Sequence, residues 1–87
     1  KYLVSAGLTI GRSRAQIKLP DSKMSALHAE VQIHPTGGLV LVDKGSTHGI
    51  VAGDRKIKEL RLEKGVRFHL GRTTFEVVEA EDHSTEN

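Results

Sequence analysis

The chain contains no cysteine and no tryptophan, and its only aromatic residues are Tyr2, Phe68 and Phe75. Without cysteine there can be no disulfide framework, no thiolate nucleophile and no cysteine-ligated zinc. That usage suits an intracellular protein. The shortage of aromatics removes the stacking platforms that single-stranded nucleic acids need, and it leaves Val, Ile and Leu to build the core. No apolar run approaches the roughly 18–20 residues of a membrane span, and no signal-peptide pattern opens the chain. A formal net charge of +2 is too small by itself to argue for nucleic acid. Nowhere does an apolar helical period persist for about ten residues, so an α-helical core is not expected.

What is present fits one small β domain. The 87 residues leave no room for a second core. The chain starts at Lys1 and enters a strand-like run at once, as a domain cut from a longer protein would. Short alternating or apolar runs recur: Tyr2–Ser5, Leu8–Ile10, Gln16–Leu19, His28–His34, Leu39–Val42, Ile50–Val51, Arg55–Ile57, Leu60–Leu62, Val66–Leu70 and Thr73–Val78. Turn-forming sequences separate them, among them Pro20-Asp21, Pro35-Thr36-Gly37-Gly38 and Ala52-Gly53-Asp54. In His28–His34 the residues Ala29, Val31 and Ile33 share one face, and Leu39–Val42 is apolar on both faces, as a central strand requires. Asp21–Ala26 is polar and aperiodic and reads as an exposed loop. Short strands with turns every few residues predict an all-β sandwich.

Charge is unevenly placed. Lys1, Arg12, Arg14, Lys18 and Lys23 face a single acid, Asp21, in the first part of the chain, while Glu79, Glu81, Asp82 and Glu86 crowd its end. Residues 1–79 are therefore read as the folded domain and 80–87 as an acidic, flexible tail. Three polar loops follow strand-like runs: Gly11-Arg12-Ser13-Arg14, Lys23 to His28, and Asp43 to Gly49. Brought together at one end of a sandwich, their arginine, lysine and hydroxyls suit a doubly charged, oxygen-rich anion such as a phosphate ester. Arg14 and Lys18 read as members of a solvated face.

Gly11-Arg12, Ser25-x-x-His28, Asp43-x-x-Ser46-Thr47-x-Gly49 and the closing Leu62-x-x-Gly65, Leu70-Gly71 and Phe75 together resemble a forkhead-associated (FHA) domain over about residues 3 to 78. The resemblance implies an FHA-type β-sandwich of about eleven short, mostly antiparallel strands with ligand loops at one end. It also implies a phosphothreonine-peptide-binding module. By position, Arg12, Ser25 and Lys23 would contact the phosphate, while Thr47, His48 and Ala26 would face the peptide. Gly11, His28 and Gly49 would support the loops. Two positions depart from the family: His48 stands where asparagine is usual, and Ala26 offers no side-chain contact.

The implied function is regulated protein–protein interaction in kinase signalling. The partner would be a phosphothreonine-containing protein, or another segment of the same full-length chain, in the cytoplasm or, in a eukaryote, the nucleus. The alternative is an FHA-like scaffold whose peptide contacts have changed and whose partners are phospho-independent. No cofactor, nucleic acid or membrane enters either reading. Catalysis by Ser25, His28 and Asp43 lacks a nucleophile-elbow pattern. A metal site from His28, His34, His48 and His69 lacks both cysteine and a helical pair of histidines.

Overall fold

The computed structural model describes residues 2–78, so the expected tail at 80–87 lies outside the described residues. Nine strands form among them: β1 (Thr9–Gly11), β2 (Ile17–Lys18), β3 (Ala29–Ile33), β4 (Leu39–Asp43), β5 (Ile50–Ala52), β6 (Arg55–Ile57), β7 (Glu59–Arg61), β8 (Arg67–Leu70) and β9 (Thr73–Glu76). They make a five-stranded sheet in the order β2-β1-β3-β4-β7 and a four-stranded sheet in the order β6-β5-β8-β9. Among the described strands, β1 and β2 alone pair in parallel. No helix of the described residues is long and apolar enough to cross a membrane.

Inward residues of both sheets form one core. Ile10, Ala29, Val31 and Leu41 from the first sheet meet Ile50, Phe68 and Leu70 from the second. Leu41, Ile50 and Leu70 are completely buried, each contributing roughly 1.5–3 kcal/mol by leaving water. Phe68 and Phe75 are cross-strand partners, and their rings stack with centroids 5.1 Å apart. The two-sided apolar pattern of Leu39–Val42 fits its place, since β4 lies between β3 and β7 with Val40 and Leu41 buried.

Three expectations need correction. Tyr2–Ser5 forms no strand, since among the described residues it makes no ladder of main-chain bonds to a neighbouring strand. Leu3 is accordingly 96% exposed, and Tyr2, Leu3, Val4 and Val78 line an apolar groove that leads toward the core. Ile33 does not join Ala29 and Val31 inside. It is the last residue of β3, paired with Leu39 at the hairpin, and lies outside the buried cluster. Finally, Asp21–Ala26 is not wholly exposed, because Asp21 and Met24 are both buried and Met24 belongs to the core.

The register sets where the loops emerge. Ile10 pairs with Ala29, and Ala29 with Asp43. In the second sheet Ile50 pairs with Leu70, and Leu70 with Thr73. The segments after β1, before β3, between β4 and β5, and between β8 and β9 therefore all lie at one end of the sandwich.

Candidate functional site

The first loop is held by the second. The main-chain N–H of Arg12 donates to Ser25 O at 2.9 Å, and those of Ser13 and Arg14 donate to Ala26 O at 3.2 and 2.8 Å. Such close approach requires Gly11, because a Cβ there would run into the Ala26 carbonyl. The Arg12 guanidinium is anchored as well: its Nε donates to Met24 O at 3.2 Å. That bond uses one donor of the planar fork and leaves the two terminal nitrogens for a ligand.

The second loop is fixed from beneath by Asp21 and His28. Asp21 Oδ1 accepts the Lys23 N–H at 2.9 Å, while Oδ2 accepts the Arg72 N–H at 2.8 Å and the Thr73 hydroxyl at 2.6 Å. The Thr73 hydroxyl, ahead of an opposing effect of burial, holds the Asp21 carboxyl below its ordinary pKa, and the amides of Lys23, Arg72 and Thr73 add to this. Gly71 makes this junction sterically feasible. It has φ +62°, and a Cβ on it would lie 2.8 Å from both Lys23 C and Met24 N.

His28 is completely buried. Its Nδ1 accepts the Ser25 N–H at 3.1 Å, so the ring proton sits on Nε2, which donates to Gly49 O at 2.8 Å. One neutral imidazole thus ties the second loop to the third. A further bond joins them: Thr47 N–H donates to Ser25 Oγ at 3.0 Å. With its oxygen taken as an acceptor there, the Ser25 hydroxyl retains its proton to donate outward.

The third loop is shaped by Asp43 and Ser46. The Asp43 carboxylate accepts the amides of Gly45 and Ser46, each at 3.2 Å, and also the Ser46 hydroxyl. Ser46 Oγ in turn accepts the Gly49 N–H at 2.8 Å. Among the described residues, no side chain of Ser25, His28 and Asp43 hydrogen-bonds to the side chain of another of the three, since the His28 ring takes the Ser25 main-chain N–H and the Ser25 hydroxyl takes Thr47 N–H. Asp43 and His28 are occupied in shaping loops and do not form a relay to Ser25.

The three loops enclose one open depression. Arg12, Lys23, Ser25, Ala26, Thr47 and His48 line it, all of them singled out by sequence. Gly11, His28 and Gly49 lie behind it, each buried. Sequence reading missed Ser22 and Met24, which complete the lining. It also missed Asp21 and Thr73, whose contact spans 52 positions, and Lys56, whose stem lies across Gly49. A Cβ on Gly49 would sit 2.8 Å from Lys56 Cε and 2.9 Å from its Cγ.

Comparison with known proteins identifies chains that share this fold. A chain from a structural and functional analysis of phosphothreonine-dependent FHA domain interactions superposes with a TM-score of 0.71 at 30% identity, covering 83% of this chain and 75% of that one. The FHA domain of FhaA, crystallised with the intracellular domain of Rv3910, gives 0.72 at 29% identity, covering 85% and 81%. The FHA domain of the CT664 protein from Chlamydia trachomatis gives 0.77 at 27% identity, covering 92% and 85%. No curated protein sequence matches. The family model of the FHA domain matches residues 8–71, three quarters of the sequence including all the loops just described, and the chain belongs to the FHA domain family.

Proposed function

We propose that the domain binds phosphothreonine peptides and so joins two proteins, or two parts of one protein, when a kinase has modified the ligand threonine. The observation that carries this reading is the pairing of Arg12 and Ser25. The guanidinium is fixed through Nε to Met24 O, and the Ser25 oxygen is occupied by Thr47 N–H. Both therefore present donors to the same depression. In this reading Lys23 adds a second charge to the phosphate, while Thr47, His48 and Ala26 lie along the peptide. Dependence on a kinase implies an interaction inside the cell.

The energetics suit a reversible signalling contact. Three charge-assisted hydrogen bonds contribute roughly 1.5–3 kcal/mol each. Ordering a flexible peptide costs several kcal/mol. With backbone contacts added, the balance falls near the roughly −8 kcal/mol of a micromolar complex.

Fluorescence anisotropy with matched phosphothreonine, phosphoserine and unmodified peptides tests this. The expected result is binding of the phosphothreonine form alone, abolished by Arg12→Ala. Equal binding of phosphorylated and plain peptides would instead support the second reading, a phospho-independent scaffold. That reading rests on His48, an exposed imidazole where the family usually has asparagine.

A further inference from the structure

The cations around the depression extend well beyond those that line it, and specific contacts fix where each belongs. Arg14 is held at the rim by its main-chain bond to Ala26 O. Lys18 stands in register with Gly11, and the next residue, Leu19, donates its N–H to Gly11 O. Arg72 follows Gly71 and donates its own N–H to Asp21. The stem of Lys56 lies over Gly49 in the third loop, the residue that follows His48. All four are exposed, as are Arg12 and Lys23.

What faces these cations matters as much as their number. Ion pairs among the described residues join Lys44 to Glu30, Arg61 to Glu63 and Arg67 to Glu76, so none involves a rim cation. The carboxylates of the loops, Asp21 and Asp43, are turned to amides and hydroxyls, those of Lys23, Arg72 and Thr73 for Asp21 and those of Gly45 and Ser46 for Asp43. The loop lysine that could have joined the rim, Lys44, is neutralised by Glu30. A dianionic phosphate brings about two negative charges, which leaves most of the rim uncompensated.

We propose that this rim selects ligands that are anionic on both sides of the phosphothreonine, through Asp or Glu side chains or a second phosphate. Arg14 and Lys18, beside the first loop, are assigned to one flank and Lys56, beside the third loop, to the other. The proposal rests on the phosphopeptide reading above and adds the ligand class to it. An exposed ion pair strengthens binding only by roughly 1.5- to 5-fold. Several acting together reach on the order of tenfold. Because they are exposed, they weaken with salt, as the Debye length shortens from about 10 Å at 0.1 M to about 3 Å at 1 M.

The test uses phosphothreonine peptides of one length with neutral, glutamate-rich or lysine-rich flanks, plus a doubly phosphorylated peptide, all read by anisotropy. Glutamate flanks should bind about tenfold more tightly than lysine flanks near 0.1 M salt, and the gap should close near 1 M. The doubly phosphorylated peptide should bind more tightly than the neutral one, and equal binding of those two near 0.1 M salt would overturn the second phosphate as a rim ligand. An R14Q/K18Q/K56Q variant alters the three flank cations, whose side chains make no hydrogen bond among the described residues. It should shrink the gap to under about threefold and keep the preference for phosphothreonine over threonine in neutral peptides. Lys56→Met, which keeps the stem over Gly49, should do so in part. Equal binding of both flanks, with phosphate discrimination intact, overturns the rim alone. Loss of discrimination in the wild type overturns the phosphopeptide reading and the rim with it. Displacement of the acidic peptide by a short DNA duplex at lower concentration than by the same peptide unlabelled would also overturn it, in favour of nucleic acid.

Discussion

The hydroxyl of Thr73 donates to the Asp21 carboxylate at 2.6 Å across 52 positions of sequence. The bond couples the start of β9 to the loop that carries Lys23 and Ser25. The same carboxylate takes the Lys23 and Arg72 amides, so one buried side chain joins the depression to the sheet behind it.

This junction makes stability depend on acid. Donors from Thr73, Lys23 and Arg72 lower the Asp21 pKa in the folded state. A depressed carboxyl adds stability that is present above its unfolded value and is lost as pH falls through the folded one. Denaturant melts should therefore show stability declining below about pH 4. Asp21→Asn should be less stable than wild type at neutral pH and should lose less on acidification. Parallel acid limbs for the two proteins would remove Asp21 from the explanation.

His28 should be among the costliest positions to truncate. His28→Ala deprives the Ser25 N–H and the Gly49 carbonyl of their partners. Each buried orphan costs about 1–3 kcal/mol, and a cavity adds to it. A total of about 3 kcal/mol lowers Tm by roughly 10–25 °C in a domain this small. Calorimetry checks the value. A Tm within a few degrees of wild type would mean that the two loops are held by other contacts.

Two glycines separate backbone strain from steric collision. Gly53 has φ +66° with nothing within 4 Å of a Cβ, while Gly71 has φ +62° with loop backbone at 2.8 Å. Alanine at Gly53 should cost only the left-handed penalty of about 1–2 kcal/mol. Alanine at Gly71 should cost more and should also weaken phosphopeptide binding, because Lys23 and Met24 must move. Urea melts and anisotropy on the same pair of variants decide. Equal effects would mean that the loop yields without consequence.

The parts of this molecule legible in its sequence are those with local signatures. Alternation placed the strands of both sheets, and Gly11, Arg12, Ser25, His28, Thr47 and Gly49 stood in an ordered pattern that located the depression. The supports were legible only in part, since they are partnerships between distant residues. Pro20-Asp21 reads as an ordinary turn, and nothing near it announces Thr73. Met24 looks like part of a polar loop because a single apolar residue has no period, yet it fills the core and its carbonyl holds Arg12. Lys56 lies one hairpin away from Gly49, where only the register of β5 with β6 brings its stem across. Ile33 failed for the opposite reason: alternation assigns a face without saying where the core ends.

Arg12→Lys tests whether the proposed phosphate site works by charge or by geometry. Lysine keeps the positive charge and leaves the rim unchanged in sign. It has no Nε–H to hold Met24 O and no planar fork with which to donate in parallel. If the anchored guanidinium is what recognises phosphate, the loss is at least one charge-assisted bond, about 1.5–3 kcal/mol, or roughly tenfold or more in affinity. The side chain is exposed and loses one part-buried bond, about 0.5–1.5 kcal/mol, so Tm should fall by no more than roughly 10 °C. Anisotropy near 0.1 M salt gives the affinity, and a repeat near 1 M separates the contributions, since screening weakens diffuse attraction far more than a short hydrogen bond. The Arg12→Lys variant should remain weaker than wild type at both salt concentrations. Equal affinities would show that the depression attracts phosphate by net charge alone, and that the Met24 carbonyl has no part in recognition.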